Sequence, residues 1–219
     1  MTLEEEIIKK TIVFVKKTLE NAEGGHDWFH IERVYKNSLL IAKTEPVNLF
    51  IVALGSLLHD IADSKFHNGD ETVGPRVARA FLFKMNVDST VIEHVIAIIE
   101  NISFKSSLSN ATSFQSKELN VIQDADRLDA IGAIGIARTF NFGGFKNRAI
   151  YDPEIRPNLN MTKAEYKTST APTINHFYEK LLLLKDKMNT ATGKKLAEQR
   201  HTFMELYLKQ FYKEWNGKI

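Results

Sequence analysis

The sequence lacks cysteine altogether and has few glycines and prolines, 11 and 5 among 219 residues. Without cysteine the chain can form no disulfide bond, no thiolate metal site and no cysteine nucleophile. The small share of glycine and proline excludes a collagen-like or low-complexity chain. A cysteine-free chain is compatible with a reducing compartment, and we expect a cytoplasmic location.

Long hydrophobic runs and an excess of one charge sign are also missing. The longest apolar stretch, from Leu49 to Leu58, has ten residues and is too short to span a membrane. The segment Met1–Glu6 is acidic where a signal peptide would be basic. Basic and acidic residues number 29 and 27, a net charge of +2, so the charge pattern does not demand nucleic acid. We therefore expect neither a membrane nor a nucleic acid as a partner.

The composition is that of a globular protein, and its periodicity is helical. Hydrophobic residues make up 43% and charged residues 26%, as in a folded domain. Apolar residues recur at three- and four-residue spacing, while strand alternation and hairpin turns are not seen. The sequence predicts an all-α fold, with one domain over residues 1–219, a motif-bearing core over about 20–160 and a C-terminal helical layer over about 162–216. The predicted helices cover residues 3–20, 27–43, 47–62, 72–86, 89–101, 117–124, 126–139, 163–189 and 193–215.

Two segments do not follow the helical pattern. Residues 103–116 are polar and rich in serine, and residues 140–161 contain Gly143-Gly144, Pro153 and Pro157. Long connections without secondary structure are uncommon in compact domains and are usually functional or mobile. We interpret both segments as candidate lids over a binding site, with a plain surface loop as the alternative.

A histidine–aspartate pair stands out in the most apolar of the predicted helices. His59 and Asp60 lie near its end, and burying an ionisable pair is costly unless something compensates. A divalent cation compensates for a carboxylate beside a neutral imidazole. His30 and Asp126 qualify as further ligands because their segments are expected to face the core. A buried polar network without a metal is the alternative interpretation.

The spacing of these residues resembles that of a known family. His30, then His59-Asp60, then Asp126 is similar to the H…HD…D signature of the HD-domain metal-dependent phosphohydrolases. The surrounding sequence resembles the small bacterial YedJ/YpgQ-type branch, and the resemblance implies an HD-domain helical bundle with additional C-terminal helices. The matching segments are residues 25–34, 57–66, 102–105 and 123–133, with Arg138 and residues 151–154.

The resemblance also implies a cofactor. His30, His59, Asp60 and Asp126 would hold one divalent transition metal ion through imidazole nitrogens and carboxylate oxygens. This donor set suits Mn, which we expect first, or Fe, Co, Ni or Zn, and it suits Mg and Ca less well. A six-coordinate ion would keep room for a water and for a phosphate oxygen.

Three acidic or histidine side chains near the ligand motifs are candidates for further roles. Related single-metal enzymes carry an acidic residue three positions after the HD aspartate, which is Asp63 here, and we expect it to position or deprotonate the water. His26 and Asp27 precede the first ligand helix. We expect both side chains to orient a ligand. His26 is also a candidate to donate a proton to the leaving group, and Asp27 is a candidate to bind substrate.

A phosphorylated substrate also needs positive charge around it. Arg33 follows His30 by about one helical turn, Lys65 follows the HD motif, and Lys105 ends the Ile102–Lys105 motif. Basic side chains of this kind pair with phosphate oxygens. We therefore expect Arg33, Lys65 and Lys105 to bind substrate.

Together these features predict a metal-dependent phosphohydrolase that acts on small phosphorylated molecules. Nucleotides are the leading substrate class, and hydrolysis of nucleoside triphosphates to monophosphate and pyrophosphate is the leading reaction. Cleavage of a phosphomonoester or of a signalling nucleotide, and a non-catalytic nucleotide sensor, are the alternatives. A homodimer stays open because C-terminal aromatic residues at near-helical spacing suit core or dimer contacts, namely Phe203, Tyr207, Phe211, Tyr212 and Trp215.

Overall fold

The computed structural model describes most of the chain, and every regular element in the described part is helical. The described residues are 1–20, 22, 25–62, 70, 72–102, 114–162, 165 and 168–218. The predicted all-α fold class is confirmed. The helices are α1 (Leu3–Thr18), α2 (Trp28–Ala42), α3 (Leu49–Leu58), α4 (Val73–Lys84), α5 (Ser89–Asn101), α6 (Lys117–Asp129), α7 (Gly132–Phe145), α8 (Asn175–Glu179) and α9 (Ala191–Trp215), and two 3₁₀ turns lie at Leu181–Leu183 and Lys185–Lys187.

The chain divides into two compact units, Met1–Asp126 and Arg127–Ile219. In the first unit α3 is the central element, and α1, α2 and α5 each contact it. Every residue of α3 from Phe50 to Leu58 is buried, as its almost uniformly apolar sequence predicts. The side chain of Asn48 accepts hydrogen bonds from the first amides of α3 and fixes where the helix begins.

In the second unit α7 packs against α9. An aromatic cluster fills part of this unit, with Phe177 fully buried and its ring 6.0 Å from that of Tyr207. The ring of Tyr151 lies 5.0 Å from Trp215 and 5.3 Å from Tyr212. Tyr207, Phe211 and Tyr212 are partly buried, whereas Phe203 and Trp215 are about half exposed, so these aromatic residues do not form a fully buried core. Association of two copies stays a prediction.

The prediction of one long helix over residues 163–189 is wrong. Residues 169–174 are not helical, and beyond them this stretch holds only α8 and the two short 3₁₀ turns. Pro172 accounts for the interruption, because proline lacks an amide donor and disfavours helical geometry at the residue before it. A capping box is nevertheless present at Thr162, since its hydroxyl accepts from the amide of Glu165 and the carboxylate of Glu165 accepts from the amide of Thr162.

The boundaries around α6 and α7 also differ from the prediction. α6 runs without a break from Lys117 to Asp129, where we expected one helix to end at 124 and another to begin at 126. α7 then begins at Gly132, whose φ of 75° lies in the left-handed region that favours glycine. Residues 140–145, expected in a loop, belong to α7, and of the expected lid at 103–116 only residues 114–116 are described.

Among the described residues, no helix is both long and apolar enough to cross a membrane.

Candidate metal centre

The centre of the site is the buried His59, which has one ring nitrogen in a hydrogen bond and a second, open nitrogen whose lone pair is available to a metal. His59 follows α3, and its Nδ1 lies 2.8 Å from the carbonyl oxygen of Ser56. A carbonyl oxygen only accepts, so Nδ1 carries the proton and the lone pair resides on Nε2. That Nε2 is buried and has no hydrogen-bond partner among the residues that the structure describes. A buried imidazole lone pair without a donor is the arrangement expected of a metal ligand.

The charge state of His59 suits the same role. Burial lowers the pKa of His59, and the nearby His30 acts in the same direction, although the carboxylates of Asp126 and Asp60 oppose the shift. The lowered pKa keeps the ring neutral at neutral pH. Because only a neutral imidazole can bind a metal, no proton has to be displaced.

Two further predicted ligands lie beside His59. Ligand atoms of His30, His59 and Asp60 all fall within 4.8 Å of one another. The rings of His30 and His59 are 5.4 Å apart at a steep mutual angle, so their edges can converge on one point. His30 is buried on α2, and Asp60 lies in the turn that follows α3. The structure thus brings His30 beside the adjacent pair His59 and Asp60, which follows it by 29 positions in the sequence.

Asp126, the fourth predicted ligand, contacts His30 from α6 but is not among the three residues whose ligand atoms all lie within 4.8 Å of one another. Its Oδ1 lies 3.5 Å from Nε2 of His30, and its side chain is 42% exposed. Two other aspartates of the same segment are placed differently. Asp124 is fully buried, and Asp129 accepts a hydrogen bond of 2.6 Å from Arg138. The choice of Asp126 over these neighbours therefore fits the contact with His30.

Asp27 accepts a backbone hydrogen bond that was not predicted from the sequence. Its Oδ1 accepts a hydrogen bond of 2.9 Å from the backbone amide of His30, which makes Asp27 the N-cap of α2. A carboxylate at a helix N-terminus is favourable because it satisfies a free amide and the helix dipole. The cap holds the first turn of α2, which carries His30, and substrate binding by Asp27 stays a prediction.

His26 lies directly against one of the candidate ligands. Its Nδ1 is 2.5 Å from Oδ2 of Asp60. Burial tends to raise the pKa of Asp60, but the hydrogen bond from His26 and the neighbouring histidines outweigh it, and the net pKa lies below its usual range. Asp60 is therefore ionised and ready to bind a cation.

The remaining predicted site residues are only partly described. Arg33 is partly buried on α2, one turn after His30. Asp63, Lys65 and Lys105 lie outside the described residues. Their roles stay predictions.

The hydrogen bond from His59 to the carbonyl of Ser56 was not predicted from the sequence. This carbonyl, three residues before the histidine in the last turn of α3, sets the tautomer. A signal was present, because a histidine at a helix end commonly donates to a carbonyl one turn earlier. The donor set as a whole, imidazole nitrogens and carboxylate oxygens without sulfur, suits a divalent transition metal.

Two histidines and two aspartates in this order on an all-α fold are the pattern of HD-domain proteins, and the chain belongs to that family. The family model of the HD domain matches residues 28–131, which contain all four candidate ligands. The family predicted from the H…HD…D spacing is thereby confirmed.

Particular relatives place the chain within that family. The Bacillus subtilis protein YpgQ is 38% identical over 206 residues, which are 93% of this chain and 91% of YpgQ. The crystal structure of an HD-superfamily hydrolase from Bacillus thuringiensis matches with a TM-score of 0.79 and 44% identity, covering 98% of this chain and 100% of that one. The crystal structure of Bacillus subtilis YpgQ in complex with ADP matches with a TM-score of 0.77 and 34% identity on superposition, covering 97% of each chain.

Proposed function

We propose that the protein is a metal-dependent phosphohydrolase that acts on nucleotides. The observation that carries the proposal is the Nε2 of His59, which is buried beside His30 and Asp60 and has no partner in the described part of the chain. A purely structural polar network would be expected to satisfy this nitrogen, because leaving a buried polar atom unpaired costs about 1–3 kcal/mol. A metal ion removes that cost.

In this proposal His30, His59, Asp60 and Asp126 hold one divalent transition metal ion, with Mn preferred. When bound, such an ion polarises a phosphoryl oxygen and makes a coordinated water more acidic. Among the described residues, the carbonyl of Ser56 supports this arrangement, because its hydrogen bond fixes the tautomer of His59. Supporting contacts of this kind orient the ligands before the metal arrives.

The substrate-facing residues complete the proposal. Asp63 would orient or deprotonate the attacking water, and Arg33, Lys65 and Lys105 would pair with phosphate oxygens. Asp63 follows His59 by four positions in the sequence. Arg33 follows His30 along α2 and so starts on the same side of the helix as that ligand.

A nucleotide is the proposed substrate because the relative YpgQ was crystallised with ADP and its structure matches over nearly the whole chain. The proposed reaction is hydrolysis of a nucleoside triphosphate. The water oxygen bonds to the α-phosphorus, the bond to the bridging oxygen breaks, and pyrophosphate leaves beside the monophosphate. Nucleoside triphosphates are abundant in the cytoplasm, which is where this proposal places the protein.

The test is a substrate screen on metal-loaded protein. Nucleoside mono-, di- and triphosphates are incubated with Mn²⁺, and phosphate and pyrophosphate are measured separately, beside metal analysis of the purified protein. We expect pyrophosphate from triphosphates. In Asp60→Asn we expect turnover to fall by at least roughly 100-fold, because loss of a ligand should exceed the 10–100-fold typical of supporting residues.

A matched control removes a carboxylate elsewhere. Asp186 is exposed in the second 3₁₀ turn, and Asp186→Asn should keep wild-type turnover. Tight nucleotide binding without any product would refute hydrolysis and favour a sensor. Wild-type turnover in Asp60→Asn would refute the ligand assignment.

A further inference from the structure

The hydrogen bond between His26 and Asp60 connects two parts of the first unit that are far apart in sequence. It spans 34 residues and joins the turn before α2 to the turn after α3. The side chains are 33% and 20% exposed, so neither is surrounded by solvent. An ionised carboxylate oxygen can only accept, and so Nδ1 of His26 donates to Oδ2 of Asp60.

Asp60 needs such a contact more than the two histidine ligands do. α3 ends at Leu58, and Asp60 therefore lies beyond the regular backbone bonds of the helix. His59 is fixed by its bond to the Ser56 carbonyl, and His30 by its buried position on α2. For Asp60, the bond from His26 restricts rotation of the carboxylate and engages one of its two oxygens.

A ligand that is oriented in advance binds metal more tightly. Ordering a free carboxylate on binding costs conformational entropy, and a hydrogen bond already present removes part of that cost. Partners of this kind around metal ligands typically change metal affinity by about 10–100-fold when removed.

We propose that His26 is a positioning residue for the metal centre, acting through the Nδ1–Oδ2 hydrogen bond that orients Asp60. The inference rests on the metal site proposed above and assigns His26 a task other than proton donation to a leaving group. The proposal predicts that metal affinity, as well as turnover, depends on His26, although His26 is not one of the candidate ligands.

The experiment compares three substitutions at position 26 on the full chain. Asparagine places an amide N–H near the position of Nδ1, glutamine places it near Nε2, and alanine has no donor. Mn²⁺ affinity is measured by calorimetry and by the electron paramagnetic resonance signal of free Mn²⁺. We expect His26→Ala and His26→Gln to bind Mn²⁺ about 10–100-fold more weakly than wild type, and His26→Asn to stay within about threefold.

A control on the same helix separates this effect from general damage to α2. Lys36 is exposed and its contact in the structure is with Glu32, so Lys36→Ala should bind Mn²⁺ like wild type. Circular dichroism and thermal unfolding check that each variant is folded. If His26→Ala does not fold, the contrast between asparagine and glutamine decides the question.

The outcomes are distinct. Unchanged Mn²⁺ affinity in His26→Ala, or equal losses in the asparagine and glutamine variants, would overturn the positioning role. Failure of the wild-type protein to bind Mn²⁺, Fe²⁺, Co²⁺, Ni²⁺ or Zn²⁺ would overturn the metal centre, and the positioning role with it. Wild-type binding combined with absent hydrolysis would leave the positioning role supported while refuting the proposed reaction.

Discussion

Individual histidines in this chain differ in the contacts of their rings because their surroundings differ. His59 is neutral and has an open nitrogen, whereas His26 donates to a carboxylate. His176 lies in the second unit, and its pKa is lowered mainly by burial. The residue type alone predicts a possible ligand or base, and the local donors and acceptors determine which of these it can be.

His176 makes stability depend on pH. Burial lowers the pKa of His176 to about 4, and the positive charges of Lys180 and Arg148 add to the shift, compared with 6.5 in an unfolded chain. As pH falls through this window, the unfolded chain takes up a proton that the folded chain does not, so the free energy of unfolding decreases. The loss is at most roughly 3 kcal/mol, and smaller because the ring is only partly buried.

Urea unfolding at pH 7.5 and pH 4.5 measures this effect. In His176→Asn the titrating group is gone, and the difference between the two pH values should shrink relative to wild type. Equal differences in the two proteins would show that His176 titrates normally in the folded state.

The helices follow signals in the local sequence, and the errors have local causes too. The side chain of Thr2 begins α1 with a capping box, and α9 begins after Thr190, whose hydroxyl accepts from the amide of Gly193. The missed break before α8 follows from Pro172, and the missed continuity of α6 shows that a polar stretch can stay helical when packing favours it. Element type was therefore more predictable than element length.

Two adjacent glycines in α7 should respond in opposite ways to alanine. A Cβ at Gly143 would lie 2.2 Å from Oγ1 and 3.2 Å from Cβ of Thr173, so rotation of the threonine cannot relieve the overlap. Gly143→Ala should destabilise the protein by about 1–3 kcal/mol. A Cβ at Gly144 meets nothing within 4 Å, and Gly144→Ala should be neutral or stabilising by up to about 1 kcal/mol.

Chemical denaturation of the two variants under identical conditions measures the contrast. The pair is matched because both substitutions add one methyl group to the same turn of the same helix. A similar free energy of unfolding for the two variants would show that α7 does not pack against Thr173 as described.

At the scale of the whole molecule, the candidate metal centre connects α2, the end of α3 and α6 within the first unit. These segments are far apart in sequence, and an ion bound by all of them can bind only the folded chain with full affinity. A ligand at 100 times its dissociation constant stabilises the folded state by about 2.7 kcal/mol. The centre is thus expected to contribute to stability as well as to chemistry.

Mn²⁺ at that excess should raise the Tm of the wild-type protein by roughly 5–10 °C. Thermal unfolding followed by circular dichroism measures the shift, and addition of a chelator should reverse it. Asp60→Asn should show little or no shift, because one ligand is lost. An equal rise in wild type and Asp60→Asn would mean that Mn²⁺ stabilises the protein from another site.

From the sequence one can predict that the protein is all-α, that it belongs to the HD domain family, and which residues are candidates for the metal centre. Helical periodicity, helix caps and the order and spacing of motif residues can all be read along the chain. The folded structure was needed to show that Nε2 of His59 is the open nitrogen, that His26 donates to Asp60, and that Asp129 pairs with Arg138. Those contacts depend on the distances and directions that packing imposes on side chains, and residue spacing along the chain does not specify them.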